Sequence, residues 1–318
     1  MTALLAEVPA AFIAVALLVG LLVGSFLNVV IHRLPRMLER AWRAECAALD
    51  ASAAPDGGSS PSRQTDTAPA AAAGAAGVAP PPARYDLIAP RSACPACHAP
   101  IAARHNIPVV SWLLLRGRCA HCAAPISPRY PLVEAATGVL TALVAWRFGF
   151  GLPALFAMLI TWYLIAAALI DLEHQLLPDA LTLPLLWGGL LASLLAPLSP
   201  AASLPVDPRA AILGAAAGYL SLWCVYHLFR LLTGKEGMGY GDFKLLGALG
   251  AWLGWQMLLP IVIASAAVGA LTGIALIVLR RHERGVPIPF GPFLAAAGWL
   301  ALMWGPEWVA DYLGLFWP

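Results

Sequence analysis

The sequence predicts an all-α polytopic membrane protein with about eight transmembrane helices and a small polar domain between helices 1 and 2. Of its 318 residues, 60% are hydrophobic and 11% are charged, and the mean hydropathy is +0.77. Soluble domains have about 25% charged residues. The apolar runs are 10–31, 132–148, 153–170, 180–197, 210–232, 244–258, 259–279 and 288–305. We therefore expect the lipid bilayer as a partner and no nucleic acid.

The basic residues predict the topology of these helices. No Lys or Arg precedes Arg33, and a basic cluster follows the first apolar run. This signal-anchor pattern places the N-terminus outside and the next loop in the cytosol. Counting spans from there puts every Lys and Arg except Arg147 and Arg209 on the cytosolic side. The protein should therefore be multi-pass, with a large cytosolic segment after the first span.

Three regions are predicted along the chain. Residues 1–33 form an N-terminal transmembrane helix, 34–130 a cytosolic domain and 131–318 a seven-helix membrane domain. Within the cytosolic domain, residues 34–50 have mixed helical periodicity and should extend the first span. The Ala/Pro-rich insertion 46–84 cannot bury enough apolar surface to offset its chain entropy, so we expect it to be disordered.

A cysteine module follows at 91–128. It contains two C-x-x-C pairs, formed by Cys94, Cys97, Cys119 and Cys122. Two such pairs are typical of a structural zinc site, because four thiolates complete a tetrahedron and leave no open position. The alternative is two disulfides or a redox pair, and the cytosolic placement argues against disulfides. The sequence therefore predicts a zinc-knuckle cytosolic domain.

Two aspartates lie at the cytosolic ends of apolar runs. Asp171 ends the third run, and Asp242 opens the sixth after a glycine-rich loop. Asp242 has a structural alternative as a helix N-cap. Asp171 does not, because an acid at a helix C-terminus opposes the macrodipole. Asp171 is therefore the stronger functional candidate when each is considered alone.

If their carboxylates are adjacent, these two residues could act as an acid–base pair. They share a proton, so one can accept a proton from water while the other protonates a scissile carbonyl. Gly239 and Gly241 would let a substrate backbone approach, and Lys244 could either stabilise an ionised Asp242 or snorkel to the membrane surface. The sequence therefore predicts an aspartyl protease, provided that the third and sixth spans lie side by side.

Four further polar residues are weaker candidates. We expect Asp179 to cap the fourth span, and Glu134 to lie in the first turn of the second span, where it could hold a basic peptide. Glu173 and His174 should lie in a solvated loop after Asp171, where they could tune it.

Several motifs give the chain a family resemblance. They are G-S-F-L-N-V-V-I-H-R-L-P at 24–35, R-S at 91–92, R-G-R-C at 116–119, P-I-S at 125–127, Y-P at 130–131, L-L-P-D at 176–179 and G-Y-G-D-F-K-L at 239–245. With these motifs the chain resembles the type IV prepilin peptidases, which are bifunctional leader peptidases and N-methyltransferases. The resemblance covers nearly the whole chain except about 46–84.

The resemblance implies a function for each region. Residues 131–318 would be the aspartyl peptidase domain, with Asp171 and Asp242 as its catalytic residues, and the four cysteines would be the family's zinc tetrad. Substrates would be prepilins and pseudopilins of type IV pilus and type II secretion systems. Their basic leader is cleaved after Gly on the cytosolic side of the bacterial inner membrane. The new N-terminus is then methylated with S-adenosylmethionine, for which no binding motif is recognisable here.

Two other functions stay open at this point. A G-x-G-D intramembrane protease with a different substrate would share the motif around Asp242. A non-enzymatic membrane scaffold that holds a zinc module would need neither aspartate. Substitution of the aspartates separates the scaffold from the enzymes, and substitution of the substrate glycine separates the two proteases.

Overall fold

The computed structural model describes residues 7–53, 85–102, 105–198, 204–235, 237–279 and 288–316. A helix lies at each of the eight apolar runs, which confirms the all-α prediction. The α-helices within these ranges are α1 (Pro9–Ala53), α2 (Val110–Leu114), α3 (Arg129–Phe148), α4 (Leu152–His174), α5 (Asp179–Ser193), α6 (Pro208–Thr233), α7 (Tyr240–Leu253), α8 (Leu258–Val278) and α9 (Gly291–Phe316).

Helix length separates the long spans from the short ones. Within the described ranges, α1, α3, α4, α6 and α8 are long and apolar enough to cross a membrane. Helices α5 and α7 have 15 and 14 residues. At about 1.5 Å per residue, each is a little over 20 Å long, against a hydrocarbon core of about 30 Å. The polytopic membrane architecture is confirmed, with five helices among the described residues that are both long and apolar enough to span a membrane.

Helix α1 is longer than its span. It continues through residue 53, so it covers the expected extension at 34–50 and the first residues of the 46–84 insertion. The stretch 46–53 is rich in alanine, which has the highest helix propensity, and disorder of the insertion stays a prediction. The rest of the insertion, 54–84, lies outside the described residues. The three-region division with boundaries at 33 and 130 stays a prediction.

Helix α7 lies at the centre of the second half of the chain. Of its 14 residues, 11 are buried, and α5, α6 and α9 pack around it. Its approach to α6 needs glycine on both sides. A Cβ on Gly214 would lie 2.1 Å from the carbonyl oxygen of Gly250, and the reverse substitution would clash equally. The short helix is therefore enclosed by protein along most of its surface.

Helix α9 connects the two halves of the molecule. Helices α1, α3 and α4 pack on one another, and α5, α6 and α7 form a second group. Helix α9 packs against both α4 and α7, whereas α4 and α7 have little direct contact. The aspartyl protease prediction required the third and sixth spans to lie side by side. In the structure they are joined mainly through the last helix.

Candidate active site

Asp171 lies in the last turn of α4 and is only 6% exposed. Its Oδ2 accepts a hydrogen bond from the backbone N–H of Gly291, at 3.0 Å. A Cβ on Gly291 would lie 2.5 Å from that oxygen, so this approach is open only to glycine. Asp171 is therefore held by the first residue of α9.

Asp242 lies in the first turn of α7 and is also 6% exposed. The N-cap residue of α7 is Gly239, and the Asp242 side chain makes no capping hydrogen bond, so the N-cap alternative is wrong. Asp242 is inside the helix, where its own N–H donates to the Gly239 carbonyl at 3.2 Å. Its Oδ1 is buried and has no hydrogen-bond partner among the described residues.

One side chain, that of Leu177 in the connection between α4 and α5, lies close to a glycine beside each of the two aspartates. A Cβ on Gly241 would lie 2.5 Å from Leu177 Cβ, and a Cβ on Gly291 would lie 3.1 Å from Leu177 Cδ1. One apolar side chain therefore contacts the neighbour of Asp242 and the hydrogen-bond donor of Asp171.

Three residues were predicted to support Asp242, and each of them has different contacts in the structure. Lys244 forms an ion pair with Asp179 instead. Gly241 is needed for packing against Leu177. Gly239 leaves space beside the carboxylate, because a Cβ there would lie 3.8 Å from Asp242 Oδ2. The backbone at Gly239 is extended, with a φ of −79°.

Asp179 is not the cap of its helix. Pro178 is the N-cap residue and Asp179 is the first residue of α5. Its carboxylate pairs with Lys244 of α7. This ion pair connects the starts of two short helices, and it leaves the aspartate pair without the cation that the sequence suggested.

Glu134 joins the cysteine-bearing segment to the helical bundle. It lies in the second turn of α3 rather than the first, because the helix already begins at Arg129. Its Oε2 accepts the N–H of Val109 at 2.8 Å. Val109 has a φ of +59° and precedes α2. Glu134 therefore holds a strained turn of the chain and is already engaged.

Glu173 and His174 belong to the last turn of α4 and not to a loop. The helix ends at Gln175, which adopts the left-handed conformation with φ 51°. Glu173 forms an ion pair with Arg129 at the start of α3. The end of α4 is thus tied to the neighbouring helix beside Asp171.

The four cysteines of the module come together. Their sulfur atoms all lie within 4.8 Å of one another, and those of Cys94 and Cys122 are 3.8 Å apart. A tetrahedral zinc ion with bonds of about 2.3 Å requires sulfur separations of about 3.8 Å. All four cysteines are unbridged. One cluster of four sulfurs fits a single metal ion better than two disulfides.

The two cysteine pairs have the same local construction. The N–H groups of Cys94 and Cys119 donate to the carbonyls of Ala99 and Ala124, at 3.0 and 2.8 Å. His98 and Ala123 occupy matching turn positions, each with φ 57°. Backbone N–H groups, first that of Cys97 and then that of Ala96, lower the pKa of the Cys94 thiol to about 6. The first turn therefore favours the thiolate form of Cys94, which is the form that binds metal.

A buried arginine attaches the start of this segment to α1. Arg33 is 9% exposed, and its guanidinium donates to the carbonyls of Asp86 and Pro90, at 2.9 and 2.6 Å. Arg40 stacks over the ring of Tyr85, 3.9 Å from its centroid. The chain therefore returns to α1 directly after the insertion.

The sequence reasoning missed Gly291. A weak signal was available, because Gly291-Pro292 opens the last apolar run and proline is favoured in the first helical turn. The predicted topology also placed this helix start on the same side as the aspartates. Nothing local to Gly291 indicates its contact with Asp171, which is 120 positions away.

The structure is a bundle of apolar helices with two carboxylates buried at the same end, an arrangement that suits a polytopic membrane peptidase. Sequence comparison identifies the family. Residues 18–148 match the bacterial peptidase A24 N-terminal domain, and residues 158–274 match the type IV leader peptidase family. The chain belongs to the type IV leader peptidase family, and it is a peptidase with methyltransferase activity.

Similar proteins cover nearly the whole chain, and each is named a prepilin leader peptidase/N-methyltransferase. That of Aeromonas salmonicida (strain A449) is 51% identical over 305 residues, which are 96% of this chain and 95% of the relative. Those of Stutzerimonas stutzeri and Pseudomonas aeruginosa are each 50% identical, and each comparison covers 97% of this chain and 96% of the relative. No solved structure matches the chain.

Proposed function

We propose that this protein removes the basic leader from prepilins and pseudopilins, with Asp171 and Asp242 as the catalytic pair, and then methylates the new N-terminus. The names of the relatives support the substrate class. The observation that carries the catalytic assignment is the burial of both carboxylates at the same end of the bundle. Among the described residues, neither of them is paired with a cation.

The pair can hydrolyse a peptide bond without a metal ion. Two carboxyl groups in contact range cannot both be ionised easily, so they share one proton. The ionised member activates a water molecule, and the protonated member donates to the carbonyl oxygen of the scissile bond. Lys244 does not disturb this sharing, because it is engaged by Asp179.

The cytosolic side of the inner membrane is the proposed location of cleavage. Asp171 ends α4 and Asp242 begins α7, so both face the same end of the bundle. That end also carries Arg33, Arg129 and Lys244, and basic residues are retained preferentially on the cytosolic side. A leader peptide that stays in the cytosol would reach the pair there.

The proposal also includes a zinc ion in the cysteine module and a methyl donor. Zinc would be held by the clustered thiolates of Cys94, Cys97, Cys119 and Cys122, where it would stabilise the module without taking part in hydrolysis. S-adenosylmethionine would supply an electrophilic methyl group to the amine that cleavage releases. No residue of this chain is assigned to binding it.

The test uses the purified full-length protein in lipid vesicles with a synthetic prepilin. We expect cleavage directly after the glycine that precedes the apolar segment, as measured by mass spectrometry of both products. Replacing that glycine by valine should abolish cleavage, whereas replacing a glycine or serine elsewhere in the leader should not. Equal cleavage of both peptides would indicate a protease with a different substrate.

Methylation is followed in the same reaction. Adding S-adenosylmethionine should increase the mass of the mature fragment by one methyl group and leave the uncleaved prepilin unchanged. Methylation of the intact prepilin would contradict the proposed order of the two steps.

A further inference from the structure

The two aspartates differ in their hydrogen-bond donors. Asp171 Oδ2 accepts the N–H of Gly291 at 3.0 Å. Gly291 is the first residue of α9, a helix of 26 residues. The next residue, Pro292, has no N–H, and Phe293 and Leu294 donate to the Phe290 carbonyl. The N–H at the tip of α9 is therefore directed at Asp171.

Asp242 has a different environment, in which the backbone of Gly239 is the donor beside its carboxyl. Its Oδ1 is buried without a hydrogen-bond partner among the described residues, and the residue is 6% exposed. An ionised carboxylate with an unpaired buried oxygen is costly, whereas a protonated carboxyl carries no charge. This environment favours the protonated form of Asp242.

The dipoles of the helices that carry the two aspartates have the opposite effect on their charges. Asp171 lies at the C-terminus of α4 and Asp242 at the N-terminus of α7, and a helix dipole favours anions at its N-terminus. A direct hydrogen bond to a carboxylate is stronger than the field of a helix end, and for Asp171 it comes with the N-terminus of α9. The Gly291 hydrogen bond therefore favours the charged form of Asp171.

We propose that Gly291 is a positioning residue that fixes the charge on Asp171, so that Asp171 is the base and Asp242 is the acid of the reaction. This inference rests on the proposed catalytic role of the two aspartates. Glycine is required at the position because any Cβ would lie 2.5 Å from Asp171 Oδ2 and would displace the carboxylate from the N–H.

The assignment gives a balanced reaction. Asp171 takes a proton from water, the water oxygen bonds to the scissile carbonyl carbon, and the carbonyl oxygen takes the proton of Asp242. A gem-diol results. Asp171 then gives its proton to the amide nitrogen as the C–N bond pair moves to nitrogen, and a hydroxyl proton of the diol returns to Asp242. Both side chains recover their starting states, and a carboxylic acid and an amine leave.

Other charged groups around the pair are neutralised within the described residues. On α4, Glu173 is paired with Arg129 of α3, and His174 follows it in the last turn. Lys244 of α7 is paired with Asp179 of α5. From α9 the closest group is the Gly291 N–H. The Gly291 N–H is therefore the polar group that the described residues place in direct contact with the Asp171 carboxylate.

Two reagents test the assignment directly on the full-length protein in detergent. An epoxide is opened by an ionised carboxylate, and a diazoacetyl ester reacts with a protonated carboxyl. We expect the epoxide to label Asp171 and the diazoacetyl ester to label Asp242, as located by peptide mass spectrometry. Reversed labelling, or labelling without preference, would overturn the proposal.

A variant pair adds a kinetic test. In Gly291→Ala, the acidic limb of the pH profile of kcat should move upward by about one pH unit, because Asp171 loses a donor that stabilises its charge. Gly298→Ala is the matched control on the same helix. Its Cβ would meet Leu249 Cδ2 at 2.6 Å, a comparable crowding of an apolar side chain. A lower kcat with an unchanged profile in both variants would show that Gly291 has only a packing role.

The proposal and the catalytic assignment can fail separately. If Asp171→Asn and Asp242→Asn are both active, the aspartate pair is not catalytic. If both variants are inactive while the epoxide labels Asp242, the pair is catalytic and only the division of roles is wrong. If Gly291→Ala does not fold, the labelling of the unmodified protein still decides between the two assignments.

Discussion

The membrane core and the cysteine module hold their chemical groups in different ways. In α7, 11 of 14 residues are buried, and Asp242 is fixed by the packing of apolar neighbours. In the module, Cys97 and Cys122 are exposed, and only Cys94 of the four is buried. The first region is stabilised by packing, and the second depends on its sulfur cluster and on its attachments to α1 and α3. Damage to one region should therefore leave the other intact.

The largest effect is expected from the aspartates. Asp171→Asn and Asp242→Asn should each lower kcat/KM for prepilin cleavage by about 10²–10⁴-fold, because each removes one partner of the acid–base pair. The measurement is cleavage by the purified protein in lipid vesicles. The metal content of both variants should equal that of the unmodified protein. Cleavage at an undiminished rate in either variant would end the two-aspartate proposal.

Metal removal should affect the cysteine module and not the membrane core. A strong chelator, or the double variant Cys94→Ser with Cys119→Ser, should unfold the module, because structural zinc contributes about 10–16 kcal/mol in small zinc-binding peptides. Hydrogen exchange should then become fast in 91–128 and stay slow in α7. Prepilin cleavage should persist, whereas loss of protection in α7 would show that the two regions are not independent. Cys224→Ser, outside the cluster, is the control.

Removing the contact that Glu134 makes between the cysteine module and the membrane core should have a smaller effect. Glu134→Ala removes the acceptor of the Val109 N–H and should cost about 1–3 kcal/mol of local stability. Faster hydrogen exchange in α2 would report it. Glu134→Gln keeps an acceptor oxygen and serves as the control. An equal effect of both variants would show that the charge, and not the hydrogen bond, holds the module.

The smallest effect is expected at Lys244. Its partner Asp179 has a side chain that is 57% exposed, so the ion pair should contribute at most about 1 kcal/mol. Lys244→Met and Asp179→Asn should change kcat/KM for prepilin cleavage equally, by less than about fivefold. A large loss confined to Lys244→Met would mean that this lysine acts on Asp242 after all.

The sequence was sufficient for features that depend on neighbouring residues. Each apolar run became a helix, because length and composition decide whether a segment can be helical in a membrane. The cysteines came together because each C-x-x-C pair forms one tight turn. The sequence predicted less well where a residue lies within its helix. Asp179 was expected to be a cap, and a cap was the structural alternative for Asp242, but both lie inside helices that begin earlier than expected.

Partners that are distant in sequence were not predictable. The contact between Gly291 and Asp171 depends on how α9 packs between α4 and α7. The Lys244–Asp179 pair likewise depends on the relative placement of two short helices. Such contacts follow from the packing of the whole bundle, so no local pattern encodes them.

The position of α9 along the chain has a consequence for biosynthesis. Asp171 and Asp242 are both translated before Gly291, which lies 120 residues beyond Asp171. A nascent chain that has not reached α9 carries both carboxylates but lacks the donor for Asp171 and one wall of the packing around α7. The protein should therefore acquire proteolytic activity only after α9 has been synthesised and has packed against α4 and α7.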